Sequence, residues 1–155
     1  SYPGNCYPTI NVGSSGKQGK PAFYSNFSNA PDQYSTKAYG VDISAPGGDD
    51  RDQVGTPEGS EGQLLSTFND GQSKPGNATY ALEEGTSMAA PVVSGIVALL
   101  YSMKSTMTFD EAWNLISKTV TPFKSGGQCA LSTTGMCGIG IINAGAAVAL
   151  LQSQQ

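Results

Sequence analysis

Residues 87–103 are the segment that most constrains the fold, because their apolar side chains cover nearly all faces of the helix they predict. Such a helix must be buried all round, so other layers of structure have to surround it. The segment is too short, and too interrupted by Ser94 and Gly95, to predict a membrane span. We therefore expect a buried helix of a globular domain and no membrane partner.

Two further helices are predicted beyond this segment. Residues 108–111 match a capping box, in which Thr108 caps backbone amides while Glu111 reaches back, and an amphipathic surface helix follows. An Ala-rich helix is predicted over residues 141–151.

Strands are predicted at four short apolar runs, residues 9–12, 41–44, 64–68 and 79–82. Short strands followed by helices indicate an α/β domain, although the βα units are too few to complete a doubly wound sheet.

Composition supports a single domain and excludes some functions. The chain has 155 residues, 38% of them hydrophobic, which is enough for one core. Its net charge is −4 and its eight Lys and Arg residues form no cluster, which argues against nucleic acid as a partner. His is absent, so any imidazole must come from outside these residues. Because the chain starts at Ser1 rather than Met, we expect part of something longer.

The three cysteines do not predict a metal site. Cys6, Cys129 and Cys137 are too widely spaced for a Cys-x-x-Cys motif, and without His they cannot form an ordinary zinc site. Cys129 and Cys137 bracket a short polar segment that a disulfide could close, which would indicate an oxidising compartment. Two buried free thiols in a cytosolic protein are the alternative. Cys6 is left over, and we expect its partner elsewhere.

Residues 85–91 place the hydroxyl of Ser87 in the first turn of the apolar helix. Unpaired amides and the positive end of the helix dipole lie there, so they would stabilise negative charge on an attacked carbonyl oxygen. Gly85 permits close approach of a substrate backbone, and the missing amide of Pro91 is expected to cost little so near the helix start. An ordinary helix N-cap is the alternative interpretation.

The stretch GTSMAAPVVSG at residues 85–95 resembles the nucleophile segment of the subtilisin-like serine proteases, the subtilases. Further segments occur in the family's order and are similar to its elements: YPGNC at 2–6, AFYSNFS at 22–28, VDISAPG at 41–47 and CGIGIINA at 137–144. The resemblance covers essentially the whole chain. It corresponds only to the C-terminal part of a catalytic domain.

The resemblance implies an α/β fold. Residues 1–155 would be the C-terminal portion of a subtilisin-like three-layer fold with a mostly parallel sheet, incomplete without upstream strands and helices. It also implies a serine endopeptidase that forms an acyl-enzyme on Ser87. The Ser87 amide and Thr86 would stabilise the oxyanion. The triad Asp and His would lie upstream, so the chain alone is expected to be inactive.

The remaining site residues follow from the same resemblance. Ser1, Tyr2 and Gly85 are expected to contact substrate. Asp42 matches a structural strand of the family and is not expected to be the triad acid. Calcium is allowed by the family resemblance, but no metal site is assigned. Instead, we interpret the acidic residues as solvated loops: Glu83, Glu84, Asp49, Asp50, Asp52, Glu58 and Glu61.

The expected partners are a peptide or protein substrate and the upstream half of the same protease, continuous or nicked. An isolated fragment would expose apolar surface and could form a homodimer to cover it. The protein is expected to be secreted or periplasmic. A pseudoprotease, or a binding or structural module derived from a subtilase, is the alternative function, in which Ser87 only caps its helix.

Overall fold

The computed structural model describes residues 8–27, 40–52, 62–124, 129 and 137–154. Four strands precede three helices along the chain. Their bounds are β1 Val12–Ser15, β2 Ile43–Pro46, β3 Leu64–Asn69, β4 Ala78–Glu83, α1 Thr86–Met103, α2 Phe109–Lys118 and α3 Ala144–Gln152. The mixture of helices and strands, with a parallel strand pair, agrees with the predicted α/β class.

Strands β1 and β2 form the parallel pair, with register from Val12 opposite Ile43 to Ser15 opposite Pro46. Both strands begin two or three residues later than the apolar runs predict. The reason is that the buried positions of β1 hold small residues: a Cβ on Gly13 would lie 2.9 Å from the Ser44 Oγ. A pattern based on apolar side chains does not detect such a strand.

The segment that precedes α3 extends this parallel arrangement at Ser44. The Ser44 amide donates to the Gly140 carbonyl over 2.9 Å, and the Ile142 amide donates to the Ser44 carbonyl over 2.9 Å. Asn143 then caps α3 by accepting from the Ala146 amide over 3.0 Å. The third helix therefore begins at Ala144, three residues later than predicted, because the residues before it pair with β2.

Strands β3 and β4 form a separate antiparallel hairpin, with Leu64 opposite Glu83 and Asn69 opposite Ala78. The sequence predicted both strands within a residue but not their pairing. Most of the hairpin is exposed, including Tyr80 at 70%. Since β4 ends only three positions before α1 begins, the hairpin leads directly into the helix.

Helix α1 packs one face against β1 and β2 and contacts α2 and α3. Its buried residues are Ala89, Val93 and Leu100. They join a core of apolar residues from every layer: Ile43, Ala45, Met107, Ala112, Leu115, Ile116, Ile142, Ala147 and Leu151. By length and composition alone α1 could also cross a bilayer, so its shortness does not exclude a membrane span; in the structure one of its faces packs against β1 and β2.

The opposite face of α1 is exposed, and the prediction of burial all round is wrong for the described residues. Ala90, Pro91, Ser94 and Gly95 are exposed, and Leu99 is 45% exposed. The sequence pattern reports that both faces are apolar, but only one face has a packing partner within the described part of the chain. The uncovered face consists largely of small residues, which would allow another layer to approach closely.

Two local predictions are confirmed. Thr108 Oγ1 accepts from the Glu111 amide over 3.2 Å, while Glu111 Oε2 accepts from the Thr108 amide over 2.7 Å, which completes the capping box. Cys129 and Cys137 form a disulfide, with their Cα atoms 5.6 Å apart. Cys6 and the residues between the paired cysteines lie outside the described ranges.

Candidate active site

Ser87 lies at the second position of α1, two residues after the N-cap Gly85. The helix start has no side-chain cap, so neither Thr86 nor Ser87 acts as the predicted alternative N-cap. Ser87 is exposed, and among the described residues its hydroxyl has no hydrogen-bond partner. The serine therefore presents an unengaged hydroxyl at the surface.

Backbone hydrogen bonds fix the position of this helix start. The Gly85 amide donates to the Gly47 carbonyl, which follows β2, over 2.9 Å. The Gly85 carbonyl in turn accepts from the amides of Met88, at 3.0 Å, and Ala89, at 3.2 Å. Gly85 thus joins the end of the parallel pair to the first turn of α1.

The amides of Thr86 and Ser87 come before the first intrahelical bonds and have no acceptor within α1. No acidic residue occurs in this first turn, although Glu84 directly precedes the N-cap Gly85. These unpaired amides can donate hydrogen bonds to an oxyanion next to the Ser87 hydroxyl.

Pro91 requires a correction to the expected small cost of its missing amide. It lies five residues after Thr86, beyond the first turn whose amides lack partners in any helix. At that position the absent amide leaves the Ser87 carbonyl without its usual donor four residues ahead. The helix nevertheless continues for twelve residues beyond it, to Met103.

The acidic residues before the helix do not form the predicted solvated loops. Asp49 and Asp52 are only 6% and 8% exposed. The two Asp49 oxygens accept from the Phe23 amide, at 3.1 Å, and the Arg51 amide, at 2.9 Å. Asp52 Oδ2 accepts from the Gln18 amide over 2.7 Å. These carboxylates are buried because they satisfy backbone amides of distant loops.

Glu84 joins this acidic group from the turn that precedes α1. Glu84 Oε2 accepts from the Asp50 amide over 2.6 Å, and Glu84 is half-buried. One carboxylate oxygen each from Asp49, Asp50 and Glu84 lies within 4.8 Å of the others. Asp50 Oδ1 and Asp52 Oδ1 are buried without a hydrogen-bond partner among the described residues, and carboxylate oxygens are the donors that the calcium allowed by the resemblance would require. Glu58 and Glu61 lie outside the described residues.

Other predicted residues have structural positions. Asp42 Oδ2 accepts from the backbone amide of Asn11, at 2.7 Å, and from its side-chain amide, at 3.1 Å, which agrees with its expected structural role. Ser1 and Tyr2, the predicted substrate contacts, lie outside the described ranges. Gly85, the third predicted contact, lies two residues before Ser87 as the N-cap of α1.

A cavity of about 550 Å³ opens beside the carboxyl ends of β1 and β2 rather than at Ser87. Its lining includes Ser15, Lys17, Pro46 and Leu64. Ligands commonly bind at such strand ends in α/β folds, but Ser87 is not among the residues that line this cavity. The candidate site therefore rests on the helix start and not on the cavity.

Comparison with known proteins decides the family. Residues 1–139 match the sequence profile described as the subtilase family. The chain belongs to the subtilase family. Solved structures support the fold: a protease from Pseudoalteromonas arctica is 36% identical with a TM-score of 0.73, over 97% of this chain and 38% of that one. Fervidolysin from Fervidobacterium pennivorans, a keratinolytic enzyme related to subtilisin, is 25% identical with a TM-score of 0.56, over 96% and 20%.

Among curated proteins, an extracellular protease of Xanthomonas campestris pv. campestris is 38% identical over 148 residues. An extracellular basic protease of Dichelobacter nodosus is 31% identical over 155 residues. Each match covers 96% of this chain but only 20% of the relative, so the chain spans about a fifth of their length. In this subtilase chain, a His able to act as general base is absent from all 155 residues.

Sequence reasoning missed two parts of the site. Tyr24 contacts the loop that anchors Gly85, although the sequence distinguishes its segment only by the family resemblance. Asp49 and Glu84 approach each other through the fold, although both were assigned to solvent. Each contact joins residues more than twenty positions apart, and a pattern in one sequence contains no signal for such pairs.

Proposed function

We propose that the chain is the nucleophile-bearing part of a serine endopeptidase. The observation that carries the proposal is the exposed Ser87 hydroxyl beside unpaired amides in a helix start that a backbone hydrogen bond from Gly85 to Gly47 anchors. Membership of the subtilase family supports the same reaction.

In the proposed reaction Ser87 Oγ attacks the carbonyl carbon of the scissile peptide while its proton passes to a His outside this chain. The Ser87 amide donates to the oxyanion, and Thr86 assists as an auxiliary donor. The His then protonates the departing amine, and water releases the acid from the acyl-enzyme. An upstream Asp orients that His.

The absence of His from the 155 residues supports a division of the site between this chain and an upstream segment. The exposed face of α1, with Leu99 at 45% exposure, is the surface that this upstream half would cover. Without the general base, turnover falls by several orders of magnitude, so the isolated chain is inactive. The isolated chain would also form homodimers through the uncovered face, a state that sedimentation would detect.

The proposed location is outside the cytosol, secreted or periplasmic. Two curated relatives are named extracellular proteases, and the Cys129–Cys137 disulfide suits an oxidising compartment. The proposed substrate is a peptide or protein, as for other proteases.

Calcium is a further proposed component, held by Asp49, Asp50 and Glu84. It would neutralise carboxylates beside the turn into α1 and would take no part in breaking the peptide bond. The test is the unfolding midpoint of the chain during titration with Ca²⁺. The midpoint should rise for the wild type and stay constant for Asp50→Asn; no rise in the wild type would remove the proposal.

A fluorophosphonate probe, which reacts with activated serines, tests the proposed hydrolysis. The native full-length protein should be labelled at Ser87, as mapped by mass spectrometry, whereas the isolated chain should remain unlabelled. If Ser87 in the native protein stays unmodified under conditions that label a known serine protease, catalysis is rejected in favour of a pseudoprotease or binding module.

A further inference from the structure

The hydroxyl of Tyr24 lies at the centre of a small hydrogen-bond network behind the helix start. It is 2.9 Å from the Gly47 carbonyl oxygen and 2.6 Å from the Gly48 carbonyl oxygen, and 2.9 Å from the Ser14 Oγ. Because a phenol has one proton, it donates to one carbonyl and accepts from the Ser14 hydroxyl. The hydroxyl thereby connects β1 to the two residues that follow β2.

The Gly47 carbonyl is the same group that accepts from the Gly85 amide, over 2.9 Å. A continuous series of contacts therefore runs from Tyr24 through Gly47 to Gly85 and into the first turn of α1. Gly47 and Gly85 approach closely, since a Cβ on Gly47 would lie 2.6 Å from the Gly85 carbonyl oxygen. Such tight packing transmits a displacement of the Gly47 loop to the helix start.

The surroundings of Tyr24 keep its hydroxyl in place. Gly47, Gly48 and Ser14 are buried, so their polar groups depend on protein partners. Burial raises the pKa of Tyr24 above its ordinary value of 10.0, which keeps the phenol protonated and able to donate. The ring packs edge-on against Phe23 with centroids 5.2 Å apart, and the Arg51 guanidinium covers the Phe23 ring at 3.6 Å.

We propose that Tyr24 is a positioning residue for Ser87, which acts by fixing the loop of Gly47 and Gly48, because the Gly47 carbonyl of this loop accepts from the Gly85 amide. The inference rests on the proposed function and adds a residue that does not touch the reacting atoms. An oxyanion donor must lie at hydrogen-bond distance from the transition state, and a displacement of about 1 Å can cost about a hundredfold in rate. A hydroxyl that limits small movements of Gly85 therefore affects turnover more than substrate binding.

The test compares Tyr24→Phe with Tyr80→Phe in the native full-length protein. Both variants lose one phenolic oxygen, but Tyr80 lies on the exposed hairpin. We expect Tyr24→Phe to lower kcat by about tenfold, part of the loss that a full 1 Å displacement causes, with KM within about twofold of wild type. The rate of fluorophosphonate labelling at Ser87 should fall by the same factor. Tyr80→Phe should match the wild type in both measurements.

A merely structural role for Tyr24 would lower the unfolding midpoint and leave these rates unchanged well below that midpoint. All measurements are therefore made about 15 °C or more below the thermal unfolding midpoint of each variant, where the folded state predominates. Hydrogen exchange supplies a direct readout, since the Gly85 amide should exchange faster in Tyr24→Phe than in the wild type. Unchanged labelling, or a loss confined to KM, overturns the inference.

Ser14→Ala provides a second variant should Tyr24→Phe fail to fold. It removes one partner of the Tyr24 hydroxyl and retains the ring, so the labelling rate should fall in the same direction by a smaller factor. Rates equal to wild type would overturn the inference. A wild-type protein that is never labelled would remove the proposed function as well, whereas a labelled wild type with unaffected variants removes the role of Tyr24 alone.

Discussion

The starts of α1 and α2 satisfy their backbone amides in opposite ways. In α2, Thr108 and Glu111 form a reciprocal capping box, and Asp110 and Glu111 place negative charge in the first turn. In α1, the N-cap is Gly85, with no side-chain hydrogen bond and no acidic residue in the first turn. A helix start that only supports the fold is closed by its own side chains, whereas the start that carries Ser87 is left open for another group.

The open start has a cost that its anchoring offsets. A side-chain cap is worth about 1 kcal/mol relative to Ala but only about a few tenths of a kcal/mol relative to Gly, the residue that caps α1. The backbone hydrogen bond from Gly85 to Gly47 and the contact of α1 with both parallel strands hold the helix instead. Comparing the two helix starts therefore separates groups that stabilise the fold from groups that remain available for chemistry.

The largest expected effect is at Ser87. Ser87→Ala in the native full-length protein should lower peptide hydrolysis by at least about 10³-fold and abolish fluorophosphonate labelling, because the nucleophile is lost. Stability should change little, since the hydroxyl is exposed and unengaged. Ser94→Ala, at another exposed position of α1, is the matched control and should retain full activity. Residual labelling elsewhere in Ser87→Ala would assign the activity to a different serine.

A second prediction concerns the anchor of the open start. Gly47→Ala would place a Cβ 2.6 Å from the Gly85 carbonyl oxygen and against Ser14 Oγ. Overpacking of this kind costs about 1–3 kcal/mol, so denaturant unfolding should show a lower midpoint. The labelling rate at Ser87 should fall as well, because the new methyl group pushes Gly85 away. An unchanged midpoint and rate would show that Gly85 does not depend on Gly47.

For the capped start of α2 we expect a loss of stability without a change in the labelling rate at Ser87. Thr108→Ala removes the bond to the Glu111 amide and should destabilise the protein by about 1 kcal/mol. The rate of labelling at Ser87 should not change, because Thr108 lies beyond the C-terminal end of α1, whereas Ser87 lies at its start. Thr108→Ser, which keeps a capping hydroxyl, should recover most of the lost stability. A change in labelling without a change in stability would contradict the distinction between the two helix starts.

Local sequence signals were sufficient to predict both helix starts, those of α1 and α2. The capping box at Thr108 and Glu111 lies within four residues, and α1 has a pattern long enough to give its bounds within one residue. The small residues of β1 carried too weak an apolar signal, so its predicted position was displaced. Local chemistry thus allowed a reactive hydroxyl at Ser87, and the family resemblance made it the candidate nucleophile, but neither located every element around it.

Long-range contacts could not be predicted in the same way. Tyr24 contacts residues 23 and 24 positions away, and Glu84 contacts Asp50 from 34 positions away. The sequence alone could not show whether these side chains reach solvent or each other. Exposure of one face of α1 was equally unpredictable, because hydropathy describes which surfaces are apolar and not which partners cover them.

The exposed face of α1 leads to a prediction with a smaller expected effect, on stability. Gly95 lies on it, and a Cβ there would meet nothing within 4 Å. Gly95→Ala should therefore stabilise the isolated chain by about 0.5–1 kcal/mol, because Ala loses less backbone entropy than Gly in a helix. In the native full-length protein the gain should disappear or reverse, since the proposed upstream half would occupy the same space. An equal gain in both proteins would show that this face remains uncovered.

The smallest expected effect is the pH dependence of the stability that Glu111 contributes at the capped start of α2. Hydrogen bonds from Lys104, and then from the Thr108 amide, lower the pKa of Glu111 from 4.5 to about 2. A lowered carboxyl pKa contributes stability that is complete above pH 4.5 and is lost as the pH falls towards 2. Other carboxylates titrate in this window, so the measurement is the difference in unfolding free energy between the wild type and Glu111→Gln.

Gln can still accept a hydrogen bond at the third position of the helix, so this variant isolates the charge. The wild type should lose more stability than Glu111→Gln between pH 4.5 and pH 2. Lys104→Met should reduce that difference, because it removes the strongest partner of the carboxylate, at 2.7 Å. Parallel curves for wild type and Glu111→Gln would show that the carboxylate is equally stabilised in the unfolded chain. The open start of α1, which has no acidic residue in its first turn, should contribute nothing to the difference.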